Sequence, residues 1–182
     1  MKEFYRNHLP HLTPPGGCFF STFCTRESIP IHKAIGNKNK GITDSFKKNN
    51  QAQLKNNSLA DLSSPVIGSI LKGIFTKYDN IFYELLYYCI MPNHVHLVID
   101  TGFKTDPEPL HKIMKQIKGS SSRAINLILN QTGPFWQKDS YDHLIRNDKE
   151  LGYIGDYIIE NPVKAGIVSK WQDWPYTYVK YS

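Results

Sequence analysis

The segment Met91-Pro92-Asn93-His94-Val95-His96-Leu97-Val98-Ile99-Asp100 holds two histidines one residue apart. Side chains alternate along a β-strand, so His94, His96, Val98 and Asp100 share one face while Val95, Leu97 and Ile99 take the other. Two imidazoles then converge on one side of a strand whose back is anchored in a core. Imidazole is a common ligand for divalent transition metals, so the pair is a two-ligand start on a metal site. Taken alone, a His-x-His pair is as often structural as ligating. Asp100 shares the face, but each two-residue step along a strand advances about 6–7 Å. It therefore lies away from an ion at the histidines and reads as structural.

A second cluster lies near the C-terminus, Asp156-Tyr157-Ile158-Ile159-Glu160-Asn161-Pro162-Val163-Lys164-Ala165-Gly166. Tyr157 and Asn161 are four apart and share a helix face beside the apolar stripe of Leu151, Ile154 and Ile158. Pro162 disfavours helical geometry at the residue before it, which predicts a helix end at Asn161. Without further context, Tyr157 is one of 11 tyrosines and Asn161-Pro162 is an ordinary helix stop.

Together the two clusters closely resemble the REP-associated branch of the HUH tyrosine transposases, small single-strand DNA transposases of bacteria. The two histidines around a bulky apolar residue, here Val95, are the HUH motif. The resemblance is collinear from about Gly17 to Tyr178, apart from a stretch near residues 33–62. It takes in Gly133-Pro134-Phe135-Trp136-Gln137, Tyr141-Asp142-His143-Leu144-Ile145-Arg146 and Trp174-Pro175. It implies that Tyr157 is the nucleophile and that His94, His96 and Asn161 hold a divalent ion, Mg2+ or Mn2+. Two imidazoles and an amide oxygen suit manganese by ligand softness, whereas cellular abundance favours magnesium. Tyr153, one turn before Tyr157, is the rival nucleophile. His143 reads equally as a satisfied core histidine or as a group supporting the site.

Periodicity supplies the elements that must hold these residues. Cys18–Thr25 reads as a strand, and Ser64-Pro65 opens a helix whose stripe is Ile67, Ile70, Leu71, Ile74, Phe75 and Tyr78. Ile81–Met91 is apolar on both faces, as a central strand is, and Pro92-Asn93 turns the chain into the histidine strand. Leu110–Asn130 reads as a helix with Leu110, Ile113, Met114, Ile117, Ala124, Ile125 and Ile128 inward. A short strand over 140–146 and a helix from about Asp148 to Asn161 follow, with Asn147 and Glu150 at capping-box spacing. The order β-α-β-β-α-β plus one helix is the split βαβ plan. The expected fold is α+β: a ferredoxin-like antiparallel sheet with packed helices, of HUH-endonuclease type. A single domain is expected over residues 1–182, with a polar insertion or loop at about 33–62.

With 22 basic against 16 acidic residues the chain carries +6, so a polyanion is a natural partner. Lys112, Lys115, Lys118 and Arg123 decorate the second helix and are the candidate DNA-backbone contacts, although such a face is more often merely solvated. Phe135, Trp136, Trp171, Trp174 and Tyr176 are candidate stacking platforms, with core capping preferred for the two C-terminal tryptophans. Three cysteines without a Cys-x-x-Cys pair read as reduced thiols. No apolar leader or membrane-length run is present, so a cytoplasmic protein without membrane contact is expected.

The expected function is a transposase and single-strand endonuclease that cleaves and rejoins single-stranded or hairpin DNA through a 5′-phosphotyrosine. The hairpin preference follows from the resemblance, as does the alternative of monomer or homodimer. A domesticated hairpin-binding module without transposition is the competing expectation. A replication-initiation or conjugative HUH enzyme is a third, and it is disfavoured because the chain lacks a helicase-like phosphate-binding loop.

Overall fold

The computed structural model describes residues 3–6, 10–14, 16–28 and 60–180. Its strands are β1 (Glu3–Arg6), β2 (Pro10–Thr13), β3 (Cys18–Cys24), β4 (Glu84–Ile90), β5 (His94–Asp100), β6 (Tyr141–Ile145) and β7 (Thr177–Val179). The helices are α1 (Pro65–Tyr78), α2 (Leu110–Ile128), α3 (Asp148–Ile159) and α4 (Asn161–Lys164), with a 3-10 turn at Trp171–Asp173. No described helix is long and apolar enough to cross a membrane.

Five strands form one sheet in the order β6-β3-β5-β4-β7, each neighbouring pair antiparallel. With α1 between β3 and β4, and α2 between β5 and β6, this is the expected split βαβ plan. Beyond that plan, β7 extends the edge beside β4, where Lys180 Nζ meets Glu84 Oε1 at 2.6 Å. Likewise β1 and β2 pair as a separate two-stranded sheet.

Strict alternation sorts the sheet into two faces. Phe19, Phe23, Leu85, Tyr88, Ile90, Val95, Leu97 and Ile99 pack with α1 and α2. Phe20, Leu86, Cys89, Met91 and Val98 pack with Ile154, Tyr157 and Ile158 of α3. A bulge in β4 shifts the register between Leu85 and Tyr87, so Leu86 and Tyr87 both serve the α3 face.

The stripe expected for α1 is the buried one, with Ile67, Leu71, Phe75 and Tyr78 inside and Ile70 and Ile74 packed at its margin. Ser64 takes the cap position, but its carbonyl makes the bond, to Gly68 N at 2.8 Å, and its side chain makes no cap bond. In α2, Ile128 faces outward and Ser121 takes an inward position instead. A hydroxyl is tolerated there because Ser121 Oγ donates to Ile117 O at 2.7 Å and accepts from Trp136 Nε1 at 2.8 Å.

The polar insertion falls outside the described residues as far as residue 59. The residues described at its end are held against the core: Ala60 and Leu62 are core residues, and Leu62 N donates to Pro92 O at 2.8 Å. That bond also accounts for a turn at Pro92-Asn93, a dipeptide that does not favour hairpins. Asn93 O accepts from Thr25 N at 3.0 Å and from Ser28 Oγ at 3.2 Å, so both turn carbonyls are held from outside the hairpin.

Candidate active site

His94 and His96 stand on the α3 face of β5, as alternation requires, with Tyr157 of α3 above them. The His96 and Tyr157 rings meet edge to face with centroids 5.4 Å apart, and the Phe20 ring lies 6.3 Å from that of Tyr157. The two histidine rings are 4.8 Å apart at 77°. His94 is 1% exposed, His96 0% and Tyr157 7%, so the α3 helix covers the imidazoles rather than leaving them at a half-open strand.

Local sequence explains how α3 comes to lie so close. Asn147 caps the helix by accepting Glu150 N on Oδ1 at 2.9 Å. Glu150 turns back with its carboxylate, accepting Arg146 N at 2.7 Å and meeting His143 Nε2 at 2.8 Å. Those hydrogen bonds, opposing its partial desolvation, hold the Glu150 carboxyl below its ordinary range. His143, stacked on Tyr141, thus ties β6 to the start of α3. Two turns further on, Gly155 lies against Tyr87; a Cβ there would come within 2.9 Å of the Tyr87 Cζ, so only glycine permits the approach. That contact lies two residues, about half a turn, before Tyr157.

The end of the tyrosine helix differs from expectation. Regular helix stops at Ile159, Glu160 keeps helical dihedrals, and Asn161 begins the short α4 rather than terminating α3. Pro162 has no N–H to continue α3, but it fits the first turn of a new helix. Asn161 is 1% exposed, and its Nδ2 donates to Tyr157 O at 3.2 Å. Tyr153 is 58% exposed and lies under Lys149 Nζ at 5.9 Å from its ring centre, on the solvent side of α3.

The imidazoles suit a divalent ion. Nε2 of His94 and Nε2 of His96 are 3.2 Å apart. Two nitrogens each about 2.1 Å from one ion subtend about 100° at that separation, between the octahedral and tetrahedral angles. Burial pushes the His94 imidazole down to about 3 and that of His96 well below its ordinary value, so both stay neutral and able to ligate. Each Nδ1 is occupied, by Asn93 Oδ1 on His94 and by Thr22 Oγ1 on His96, both at 2.8 Å. Among the described residues no group of three His, Cys, Asp or Glu side chains could hold a metal. Further donors would have to be a neutral amide, water or a phosphate oxygen.

Thr22 and Asn93 are absent from the sequence-derived site. Asn93 is legible only as a neighbour of His94, and Thr22 only once the β3–β5 register sets it opposite His96. Asp100 stands apart, accepting Gly102 N at 2.7 Å in the turn after β5.

The basic residues of α2 separate into two kinds. Lys112, Lys115 and Arg123 are exposed, with Lys112 3.3 Å from Glu108. Lys118 is turned inward, its ammonium donating to Gln137 O at 2.7 Å and Lys138 O at 2.9 Å, and desolvation lowers its pKa. The aromatic residues divide similarly. Phe135 and Trp136 are core residues, and Trp174 Nε1 donates to Ile90 O at 3.0 Å. All three cysteines are free, and burial pushes each thiol up to about 12.

Comparison with known proteins gives concordant matches. Residues 50–161 match the family described as Transposase IS200 like. A protein of Haemophilus influenzae named "Putative REP-associated tyrosine transposase" is 32% identical over 104 residues, covering 52% of this chain and 58% of its own. The REP-associated tyrosine transposase of Escherichia coli is 28% identical over 95 residues, covering 52% and 53%. The chain therefore spans little more than half the length of these relatives. A solved REP-associated tyrosine transposase bound to a REP hairpin shares the fold, with a TM-score of 0.59 at 22% identity over 97% of this chain and 82% of that one.

Proposed function

This chain belongs to the IS200-like transposase family, and we propose that it cleaves and rejoins single-stranded or hairpin DNA with Tyr157 as nucleophile, working in the cytoplasm as one catalytic domain over residues 1–182. The observation that carries the reading is the packing of the Tyr157 ring 5.4 Å from that of His96, whose Nε2 converges with that of His94. Similarity to REP-associated transposases, one of them solved on a REP hairpin, supports hairpin DNA as the substrate.

His94, His96 and Asn161 would hold a divalent ion, Mg2+ or Mn2+. When bound, the ion supplies charge neutralisation at the scissile phosphate and at the departing oxygen. The chain's own work is to hold two neutral imidazoles, orient Tyr157 and exclude bulk water. The phenol oxygen of Tyr157 forms a bond to phosphorus as the bond from phosphorus to the 3′ oxygen breaks. The phenol loses its proton and the 3′ oxygen gains one, leaving a 5′-phosphotyrosine and a free 3′-hydroxyl. The phosphoester is conserved in the covalent bond, so the reverse attack by another 3′-hydroxyl rejoins strands without an external energy source. Since Tyr157 stands beside the histidines of its own chain, this reading does not require a second copy to complete the site. Lys112, Lys115 and Arg123 would contact backbone phosphates, with Lys118 holding the 137–138 segment beside them.

The test is a denaturing gel with end-labelled hairpin, single-stranded and duplex DNA. The wild type forms a protein–DNA adduct on the first two and spares the duplex. Tyr157→Phe keeps DNA binding and loses both adduct and cleavage, while Tyr153→Phe retains both. Cleavage by Tyr157→Phe would overturn the nucleophile assignment.

A further inference from the structure

The hydrogen-bond partners around the two imidazoles restrict where their protons can sit. Asn93 Oδ1 can only accept, so Nδ1 of His94 carries a proton and Nε2 of His94 is bare. Nε2 of His96 lies 3.2 Å from that bare nitrogen. Two lone pairs facing each other at this distance would repel, so in the metal-free site Nε2 of His96 carries a proton and donates it. Nδ1 of His96 is then bare, and the Thr22 hydroxyl, 2.8 Å away, donates to it. The three bonds form one directed chain, from Thr22 through both rings to Asn93.

A divalent ion between the Nε2 atoms needs both lone pairs. His96 must then give up its Nε2 proton and take one at Nδ1, leaving its charge unchanged. Its partner at Nδ1 must accept where it formerly donated. A hydroxyl does either, by rotating its proton. Thr22 is 4% exposed and stands opposite His96 in the β3–β5 register, so bulk water has no ready access to replace it.

We infer that Thr22 is a positioning residue that lets His96 change tautomer when the metal enters, whereas Asn93 holds His94 permanently in its ligating form. The inference rests on the metal site proposed above. It assigns the two ligands unequal roles: His94 is preset, and His96 is switched.

Calorimetric titration of metal-free protein with Mn2+ tests it, together with 15N NMR of the histidine rings before and after saturation with diamagnetic Mg2+. Thr22→Val should bind Mn2+ about 10–100-fold more weakly, the usual loss when a partner behind a ligating histidine is removed. Thr22→Ser should bind as the wild type does. In the wild type, the His96 proton should move from Nε2 to Nδ1 on Mg2+ addition, while His94 stays protonated at Nδ1 throughout. Unchanged Mn2+ affinity in Thr22→Val, or a metal-free His96 already protonated at Nδ1, would overturn the inference and leave the metal site standing. Absence of Mn2+ binding by the wild type would overturn the metal site and the switch with it. The ring-nitrogen measurement needs no variant, so a Thr22→Val protein that fails to fold does not remove the test.

Discussion

Among the described residues, 22 buried apolar residues form one cluster on the face of the sheet covered by α1 and α2, whereas the α3 face musters nine and shares its area with His94, His96, Thr22 and Asn161. The larger face has fully buried side chains such as Leu71, Phe75, Tyr83 and Leu97. The smaller face uses its polar residues in pairs, each imidazole nitrogen facing a partner. Stability is therefore expected to come mainly from the first face and chemistry from the second. The contrast also shows why β5 must be buried on both sides: its apolar half anchors the strand rigidly enough to hold two imidazoles in register.

The sharpest way to break this comparison is to exchange the consequences of the two faces. Phe75→Ala, in the centre of the first, should cost about 3–5 kcal/mol in urea unfolding. Tyr157→Phe, on the second, removes one hydroxyl and should change stability by less than about 1 kcal/mol while abolishing the adduct. A reversal of those two results would mean that α3 is the principal stabilising element.

Acid sharpens the comparison further. An unfolded histidine titrates near 6.5, whereas burial holds His94 down to about 3 and His96 well below its ordinary value. Well above about pH 6.5 both imidazoles are neutral in either state, and their contribution to stability is intact. As pH falls below that value the unfolded chain takes up protons that the folded chain refuses. Stability should then drop by about 1.4 kcal/mol per pH unit for each histidine, until the folded value is approached. Urea unfolding of the metal-free protein between pH 7 and 5 measures this slope, and His94→Gln should remove one histidine's share. An unchanged slope would show that His94 already titrates normally in the fold.

A smaller effect is expected at the start of the tyrosine helix. Asn147→Ala removes the cap on Glu150 N and should cost about 1 kcal/mol. Because the lost bond lies at the helix that carries Tyr157, adduct formation should slow more than DNA binding weakens. Equal loss of both in a binding and cleavage assay would argue against a positioning role for this end of α3.

Much of this architecture is legible in the sequence where periodicity and burial coincide. The alternation from His94 to Asp100 and the stripe Ile67-Leu71-Phe75-Tyr78 each identify both an element and its inner face. The short β7 escapes notice because three residues after a proline carry no measurable period, and it exists through pairing with Tyr87, Tyr88 and Cys89. Ser121 looks polar and outward until the Trp136 indole is brought to it by the return of the chain. Local steric preference predicts a stop at Asn161, yet the chain uses the same proline to begin another turn. Thr22 illustrates the general limit: its importance is a property of pairing between strands 74 residues apart, which no local pattern encodes.

On the proposed reading of α2 as a DNA-backbone surface, the inward ammonium of Lys118 has a consequence for the ionic atmosphere of the DNA. Each phosphate neutralised on a single strand releases condensed counterions and adds about −0.7 to the slope of log affinity against log salt. Four cations lie on α2, but Lys118 already donates to Gln137 O and Lys138 O, leaving Lys112, Lys115 and Arg123 to displace ions. The helix should therefore contribute a slope near about −2 rather than about −3. Lys115→Ala should reduce the measured slope by about 0.7, while Lys118→Met should leave it unchanged and loosen the fold instead.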